Sequence, residues 1–372
     1  MSAKFCNRSK VCNRIATEWR PDMSFRDNIR KVVPYTPGDQ PKLTKMVKLN
    51  TNENPYPPSK EVEKALQRLD MDRFKLYPDP KIEKLVGAIA DNMNVSADNV
   101  FVGVGSDDVL AMAFMTFFNS DKPIIFPEVT YSFYDVWADL FKIPYKTFPL
   151  KEDFTIDVKD LCVENGGVVL ANPNAPTGIY EELDFVEEVL KNNQDSVVIV
   201  DEAYIDFGGK SAVSLLDKYE NLVVVQTFSK SRSMAGMRIG FAVASAELIA
   251  AMNAVKHSYN SYTMSYAAIE AGVAAVNDKA YFDETRGKVM ETRENAKKEL
   301  TSRGFAFPDS MTNFIFATHK DKKACDIFEE LRSRGIFVRY FNKPGIDNYL
   351  RITIGTDEQM QELYDALDEI LA

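Results

Sequence analysis

Histidine is almost missing from this chain: among 372 residues only His257 and His319 occur. Two histidines are too few for an imidazole-based metal site, and their positions do not suit a Ser-His-Asp arrangement. No metal is therefore expected. Cysteine is nearly as scarce. Cys6, Cys12, Cys162 and Cys325 are widely scattered and show no C-x-x-C spacing, so neither a disulfide framework nor a zinc site is implied. A reducing cytoplasm fits this usage best. Positive charge is also short: the net charge of −10 argues against nucleic acid, which needs a basic stripe. No apolar run approaches the roughly 18 residues of a membrane span, and the polar N-terminus lacks the apolar core of a signal peptide. The reading is no nucleic acid, no membrane and a cytoplasmic location.

What remains is an ordinary globular composition, 45% hydrophobic and 27% charged. The length allows two domains with a substantial core. The stretch 196–240 organises the rest. It holds two short Val-rich runs, 197–200 and 222–225, which have the look of strands buried on both faces of a sheet. The first ends on Asp201, and the second leads into a hydroxyl-rich loop carrying Lys230. Ligands of open α/β sheets sit beyond the carboxyl ends of the strands, so neighbouring strands would deliver both residues to one crevice. An acid facing a ring nitrogen and a lysine able to condense with an aldehyde are the two anchors that pyridoxal 5'-phosphate needs. Tyr204 could bond the ring hydroxyl, while Thr227, Ser229 and Arg238 supply two hydroxyls and a bidentate cation for the phosphate. Taken singly, Asp201 is as readily a turn cap and Lys230 a solvated lysine; the set at this spacing favours the site.

The motifs VDEAY (200–204) and SKSRSMAGMRIG (229–240) resemble those of the fold-type I pyridoxal-phosphate aminotransferases, and further stretches are similar to the histidinol-phosphate branch of that family. The likeness spans about 33–356. It implies an α/β fold with a large, doubly wound, mostly parallel sheet domain and a smaller α+β domain. The expected partition is an extension at 1–24, an arm and part of the small domain at 25–72, the large cofactor-binding domain at 73–265, and a linker helix with the C-terminal small domain at 266–372.

Several positions take roles from this likeness, each beside a plainer one. A short amphipathic helix is expected at 25–32, followed by prolines that force an extended path. Beyond it Tyr35 would reach a substrate phosphate in the partner subunit, or simply pack. In KLNTNENPYPP (48–58), polar side chains among prolines suggest a rigid loop near a ligand, and Asn54 would lie by the substrate's acid group. Tyr77 of LYPDP (76–80) would cross to the other subunit's cofactor phosphate, making a homodimer with shared sites obligatory; a turn tyrosine is the competing view. In VFVGVGSDDV (100–109) a strand bends at glycines into a buried helix, so Ser106 and Asp107 would hold phosphate through their amides; Asp108 replaces the family's usual Glu. Tyr131 would stack on the cofactor ring. NPNAPTG (172–178) departs from the commonest pattern: Ala175 stands where an Asn usually bonds the ring oxygen, and Asn174 or Asn172 is left to take over. In the C-terminal part, strands are expected at 314–317, 337–340 and 349–354. Arg339 and Arg351 lie on them, where buried guanidiniums want an anionic partner. Arg351 would bind the substrate's anionic end with Arg339 assisting, structural salt bridges being the alternative.

The implied chemistry is transamination, with Lys230, Asp201 and Tyr204 as catalytic residues, L-histidinol phosphate as donor and 2-oxoglutarate as acceptor. An aromatic amino-acid aminotransferase, a lyase such as a threonine-phosphate decarboxylase, and a non-enzymatic binding protein are the rival readings.

Overall fold

The computed structural model describes residues 24–35 and 46–372. The chain falls into two units, 1–34 and 35–372. The described part of the first holds a single 3-10 turn, Phe25–Asn28, capped by the Ser24 hydroxyl and by Asp27 reaching back to the Ser24 amide. The helix expected at 25–32 does not form. None of the turn's residues is buried, the backbone is extended from Ile29, and Val33 precedes a proline that disfavours helix. The expected extension, apart from Ser24, lies outside the described residues.

The second unit is built in chain order from β1 (Val47–Lys48), α1 (Lys60–Gln67), α2 (Glu83–Met93), β2 (Val100–Gly103), α3 (Ser106–Phe117), β3 (Ile124–Pro127), α4 (Tyr134–Phe141) and β4 (Tyr145–Phe148). Then come β5 (Gly167–Ala171), α5 (Leu183–Asn192), β6 (Val198–Asp201), β7 (Leu222–Thr227) and β8 (Gly240–Ala244). Strands β2 to β8 form one sheet in the order β2-β8-β7-β6-β5-β3-β4. All its pairs are parallel except the two made by β8, which runs antiparallel between β2 and β7.

The unbroken apolar runs follow from burial on both faces. Val168, Leu170, Val198, Val200, Leu222 and Val224 point to one side, where α5 covers them with Val186, Val189 and Leu190. Val169, Ile199, Val223 and Val225 point to the other, against Val109, Leu110 and Phe114 of α3. Each fully buried aliphatic side chain contributes about 1.5–3 kcal/mol, so the centre of this sheet is a rigid base for whatever its strand ends carry.

Helices α6 (Ala246–Tyr259), α7 (Tyr266–Asn277) and α8 (Lys279–Ser302) follow. α7 and α8 are parted at Asp278, whose carboxylate accepts from the Tyr281 amide and caps α8. The C-terminal sheet contains β9 (Phe305–Ala306) and β10 (Phe314–His319), and then α9 (Ala324–Ser333) leads to β11 (Ile336–Phe337), β12 (Arg339–Tyr340), β13 (Leu350–Thr353) and α10 (Asp357–Leu371). The strand expected at 337–340 is divided at Val338. β11 pairs in parallel with β1, whereas β12 pairs antiparallel with β13, which sets Arg339 directly opposite Arg351.

Candidate active site

A cavity opens at the carboxyl ends of β6 and β7, which are parallel neighbours. Among its walls are Asp201, Tyr204, Thr227, Ser229, Lys230 and Arg238, all from the organising stretch. Asp201 ends β6 between Ala171 of β5 and Val225 of β7 and is 5% exposed. Its Oδ2 accepts from the Tyr134 hydroxyl at 2.8 Å, and its Oδ1 accepts from the Ala203 amide at 3.2 Å. Burial nevertheless dominates and pushes its pKa up to about 6, against the lowering by those two bonds and by Lys230. A carboxyl so placed gains from any cation brought beside it.

Lys230 lies three residues beyond the end of β7 and donates from Nζ to the Thr51 carbonyl at 3.2 Å. The same ammonium sits 5.6 Å from the centre of the Tyr204 ring. The Tyr204 hydroxyl accepts from Asn52 Nδ2 at 2.8 Å.

Opposite these groups is the start of α3. Gly105, at φ +88°, offers no side chain to cap the helix, so the helix begins with its amide end unblocked toward Ser106 and Asp107, both in the cavity wall. Arg238, itself left-handed at φ +53°, reaches across with Nη2 to Asp107 Oδ2 at 3.4 Å and Nη1 to Ser229 Oγ at 3.4 Å. The Thr227 and Ser229 hydroxyls are 3.1 Å apart. Two glycines make the approach possible: a Cβ on Gly105 would stand 2.6 Å from Arg238 Nη2, and one on Gly240 would collide with the Gly105–Ser106 main chain.

Other expected residues fall elsewhere. Tyr131 is in the wall, and its hydroxyl donates to Asp107 Oδ1 at 2.8 Å, its pKa held well above the ordinary value by burial and then by Asp107. Asn172 and Asn174, expected to stand in for an amide at Ala175, are not in the wall. Asn172 exchanges bonds with the main chain of Glu181, and Asn174 binds the Val129 carbonyl and the Thr130 and Thr177 hydroxyls. Ala175 and Pro173 line the cavity instead. Asn54 is not in the wall either and donates to the carbonyls of Lys230 and Ser231 at 3.1 and 3.2 Å. Asp108 receives the Val104 amide on Oδ2 and closes the turn. Tyr35 stacks on Phe133 with ring centres 4.2 Å apart. Tyr77 does not line the cavity and is 82% exposed, stacked on Tyr262 at 4.7 Å.

Arg351 is half-buried between the Phe314 and Phe341 rings. Among the described residues its hydrogen-bond partner is the Asn50 carbonyl, 3.2 Å from Nη2, and its Nε is buried without one. Burial, then Arg339 opposite, depress its pKa below the ordinary arginine value. Neither arginine lines the cavity; opposed across β12 and β13, they leave one buried donor spare, which suits an anion.

Tyr134, Thr51 and Asn52 were not anticipated. A tyrosine three residues after Tyr131 at the start of an apolar helix looks like core, and a main-chain carbonyl leaves no trace in sequence. Asn52 stood in the polar loop that drew attention, one of several asparagines there. No group of three or more His, Cys, Asp or Glu able to hold a metal occurs among the described residues, and no helix among them is long and apolar enough to cross a membrane.

Residues 44–367 match the family described as aminotransferase class I and II. The chain is 49% identical to the histidinol-phosphate aminotransferase of Lactococcus lactis subsp. cremoris, over 94% of this chain and 98% of that one. It is 51% identical to the histidinol-phosphate aminotransferase of Clostridium acetobutylicum, over 94% and 99%. Its fold is that of the Sinorhizobium meliloti histidinol-phosphate aminotransferase solved in complex with pyridoxal-5'-phosphate, with a TM-score of 0.79 at 24% identity over 87% of this chain and 90% of that one.

Proposed function

This chain belongs to the class I and II aminotransferases, and from that premise we propose that it transfers the amino group of L-histidinol phosphate to 2-oxoglutarate with pyridoxal 5'-phosphate, as a cytoplasmic homodimer. The observation that carries this reading is the convergence of Asp201 and Lys230, from adjacent parallel strands, on one cavity that also receives the open N-terminus of α3. The donor set suits the cofactor. The amide end of α3, the Thr227 and Ser229 hydroxyls and Arg238 would hold its phosphate, and the glycines at 105 and 240 leave the room for that cradle. Asp201 would face the ring nitrogen as a carboxylate, its burial offset by that cation, and Lys230 would reach the aldehyde. Tyr131 presents the aromatic face beside the ring.

When bound, the cofactor supplies an electron sink for charge developing at the donor's Cα. The protein does the rest. Lys230 Nζ, steered by the Thr51 carbonyl and by Asn54 holding its main chain, moves the Cα proton. Arg351 and Arg339 hold the donor's phosphate in one half-reaction and the acceptor's carboxylate in the other, which the unpaired Nε of Arg351 equips them to do. Support for a dimer comes from the exposed apolar side chains of Met71, Phe74, Leu76, Tyr77 and Tyr262, none of which lines the cavity of its own subunit.

The test is turnover by purified, cofactor-loaded protein with 2-oxoglutarate and, separately, L-histidinol phosphate, L-phenylalanine and O-phospho-L-threonine, reading glutamate and carbon dioxide. Glutamate formed with the highest kcat/KM from L-histidinol phosphate, and lost at least 1,000-fold in Lys230→Ala, is the expected result. Preference for phenylalanine, or carbon dioxide from phosphothreonine, would refute the assigned donor.

A further inference from the structure

Residues 50–54 thread past Arg351, Lys230 and Tyr204. The Asn50 carbonyl accepts from Arg351, the Thr51 carbonyl from Lys230, and the Asn54 amide holds the main chain of Lys230. Asn52 is at the centre, 1% exposed and left-handed at φ +56°, a conformation that Asn tolerates better than most residues. Its amide N–H donates to Thr353 Oγ1 and its Oδ1 accepts the Thr353 hydroxyl, both at 3.0 Å. Its carbonyl accepts from Asn313 Nδ2 at 3.0 Å. With Oδ1 committed to Thr353, the Nδ2 end faces Tyr204 and donates to its hydroxyl at 2.8 Å.

The consequence lies in where the tyrosine protons go. A phenol has one proton to give. Tyr131 spends its proton on Asp107 and Tyr134 on Asp201. Tyr204, obliged by Asn52 to accept, keeps its proton for the cavity. Across the cavity Ala175 offers only a methyl, and Asn172 and Asn174 are engaged elsewhere. We propose that Asn52 is a positioning residue that fixes the Tyr204 hydroxyl as a donor to the ring oxygen of the bound cofactor. This rests on the function proposed above.

A donor to that oxygen favours its ionised form, and so lowers the pH at which the neighbouring nitrogen gives up its proton. The pH midpoint of the bound cofactor's visible absorbance is therefore the readout. Asn52→Asp keeps the shape but sets an acceptor against the phenol, drawing its proton away. It is expected to raise the midpoint by about one pH unit and to weaken cofactor binding about tenfold, comparable to one lost hydrogen bond to a charged group. Asn52→Ala, which releases the phenol without capturing its proton, should shift the midpoint the same way by less, and decides the matter if the Asp variant does not fold. Tyr204→Phe should reproduce the Asn52→Asp shift, and the double variant should add nothing to it. A merely structural Asn52 would lower the melting temperature and leave the midpoint alone; that result, or additive shifts in the double variant, overturns the proposal. A parent protein that takes up no cofactor overturns the proposed function and this inference together, whereas a parent that binds it beside unshifted Asn52 variants overturns this inference alone.

Discussion

Asp201 and Glu202 are adjacent, buried and held by different means. Glu202 is fully engaged, accepting from the Ser211 hydroxyl, the Ala212 amide and Gln226 Nε2 at 2.6, 2.6 and 2.8 Å, yet burial still pushes its pKa up to about 7. Asp201 has two donors and the cavity on its open side. For a carboxyl raised from 3.8 to about 6 by folding, the folded state keeps its proton where the unfolded chain has lost it. Stability therefore falls as pH rises through that window and levels off above it. At full effect this is on the order of 3 kcal/mol, reduced for any relaxation around the carboxyl. Asp201→Asn removes the cost. In cofactor-free protein the variant is expected to melt several degrees above the parent at pH 8 and to converge with it near pH 4. With cofactor bound the order should reverse, since the carboxylate then has its cation. Equal melting temperatures at pH 8 without cofactor would show that Asp201 is not penalised by burial. The sequence disclosed Asp201 through its place at the end of a Val-rich run, but not Tyr134, whose contact spans 67 residues.

At the scale of elements, the start of α3 depends on the close passage of β8. Gly240 opens β8 opposite Gly103 and directly under the Gly105–Ser106 peptide, where a methyl would meet main chain that cannot step aside. Gly240→Ala is expected to lift the turn, tilt Arg238 from the helix start, cost about 1–3 kcal/mol of stability and weaken cofactor binding at least tenfold. Equilibrium dialysis against pyridoxal phosphate beside a denaturant titration checks both; full affinity with reduced stability would sever the turn from phosphate binding. Elements with one dominant signal were legible in the sequence. β6 and β7 read as Val-rich runs, the first ending on Asp201 and the second leading into the Lys230 loop. The break at Asp278 was hidden because helical periodicity continues on both sides of it. So was the division at Val338, because two-residue strands take their identity from distant partners, β1 and β13. The helix expected at 25–32 failed for want of anything in the described arm to bury its apolar face.

For the whole molecule, the question is whether one chain makes a complete site. Tyr77 was assigned to a cofactor phosphate by resemblance, but in its own chain it stands among Arg73, Pro78, Tyr266 and Glu270, outside the cavity that holds Lys230. Its ring is 82% exposed, and with Tyr262 it forms a stacked pair open to solvent, an arrangement that costs free energy unless something covers it. No pattern within a single sequence could decide this, because a contact that would explain Tyr77 would lie in a second copy of the chain. Complementation decides it. Lys230→Ala and Tyr77→Ala are each expected to be inactive or nearly so alone. If sites are shared, a heterodimer of the two pairs an intact Lys230 on one chain with an intact Tyr77 on the other, and restores one site of two. Random reassortment after mild denaturation and refolding would then recover about a quarter of the parental activity per chain, half the dimers being mixed with one working site in each. Recovery should appear only after mixing and should rise with protein concentration as dimers form. Activity that stays at the sum of the two variants, or a Tyr77→Ala protein as active as the parent, would place Tyr77 on the surface with no part in catalysis.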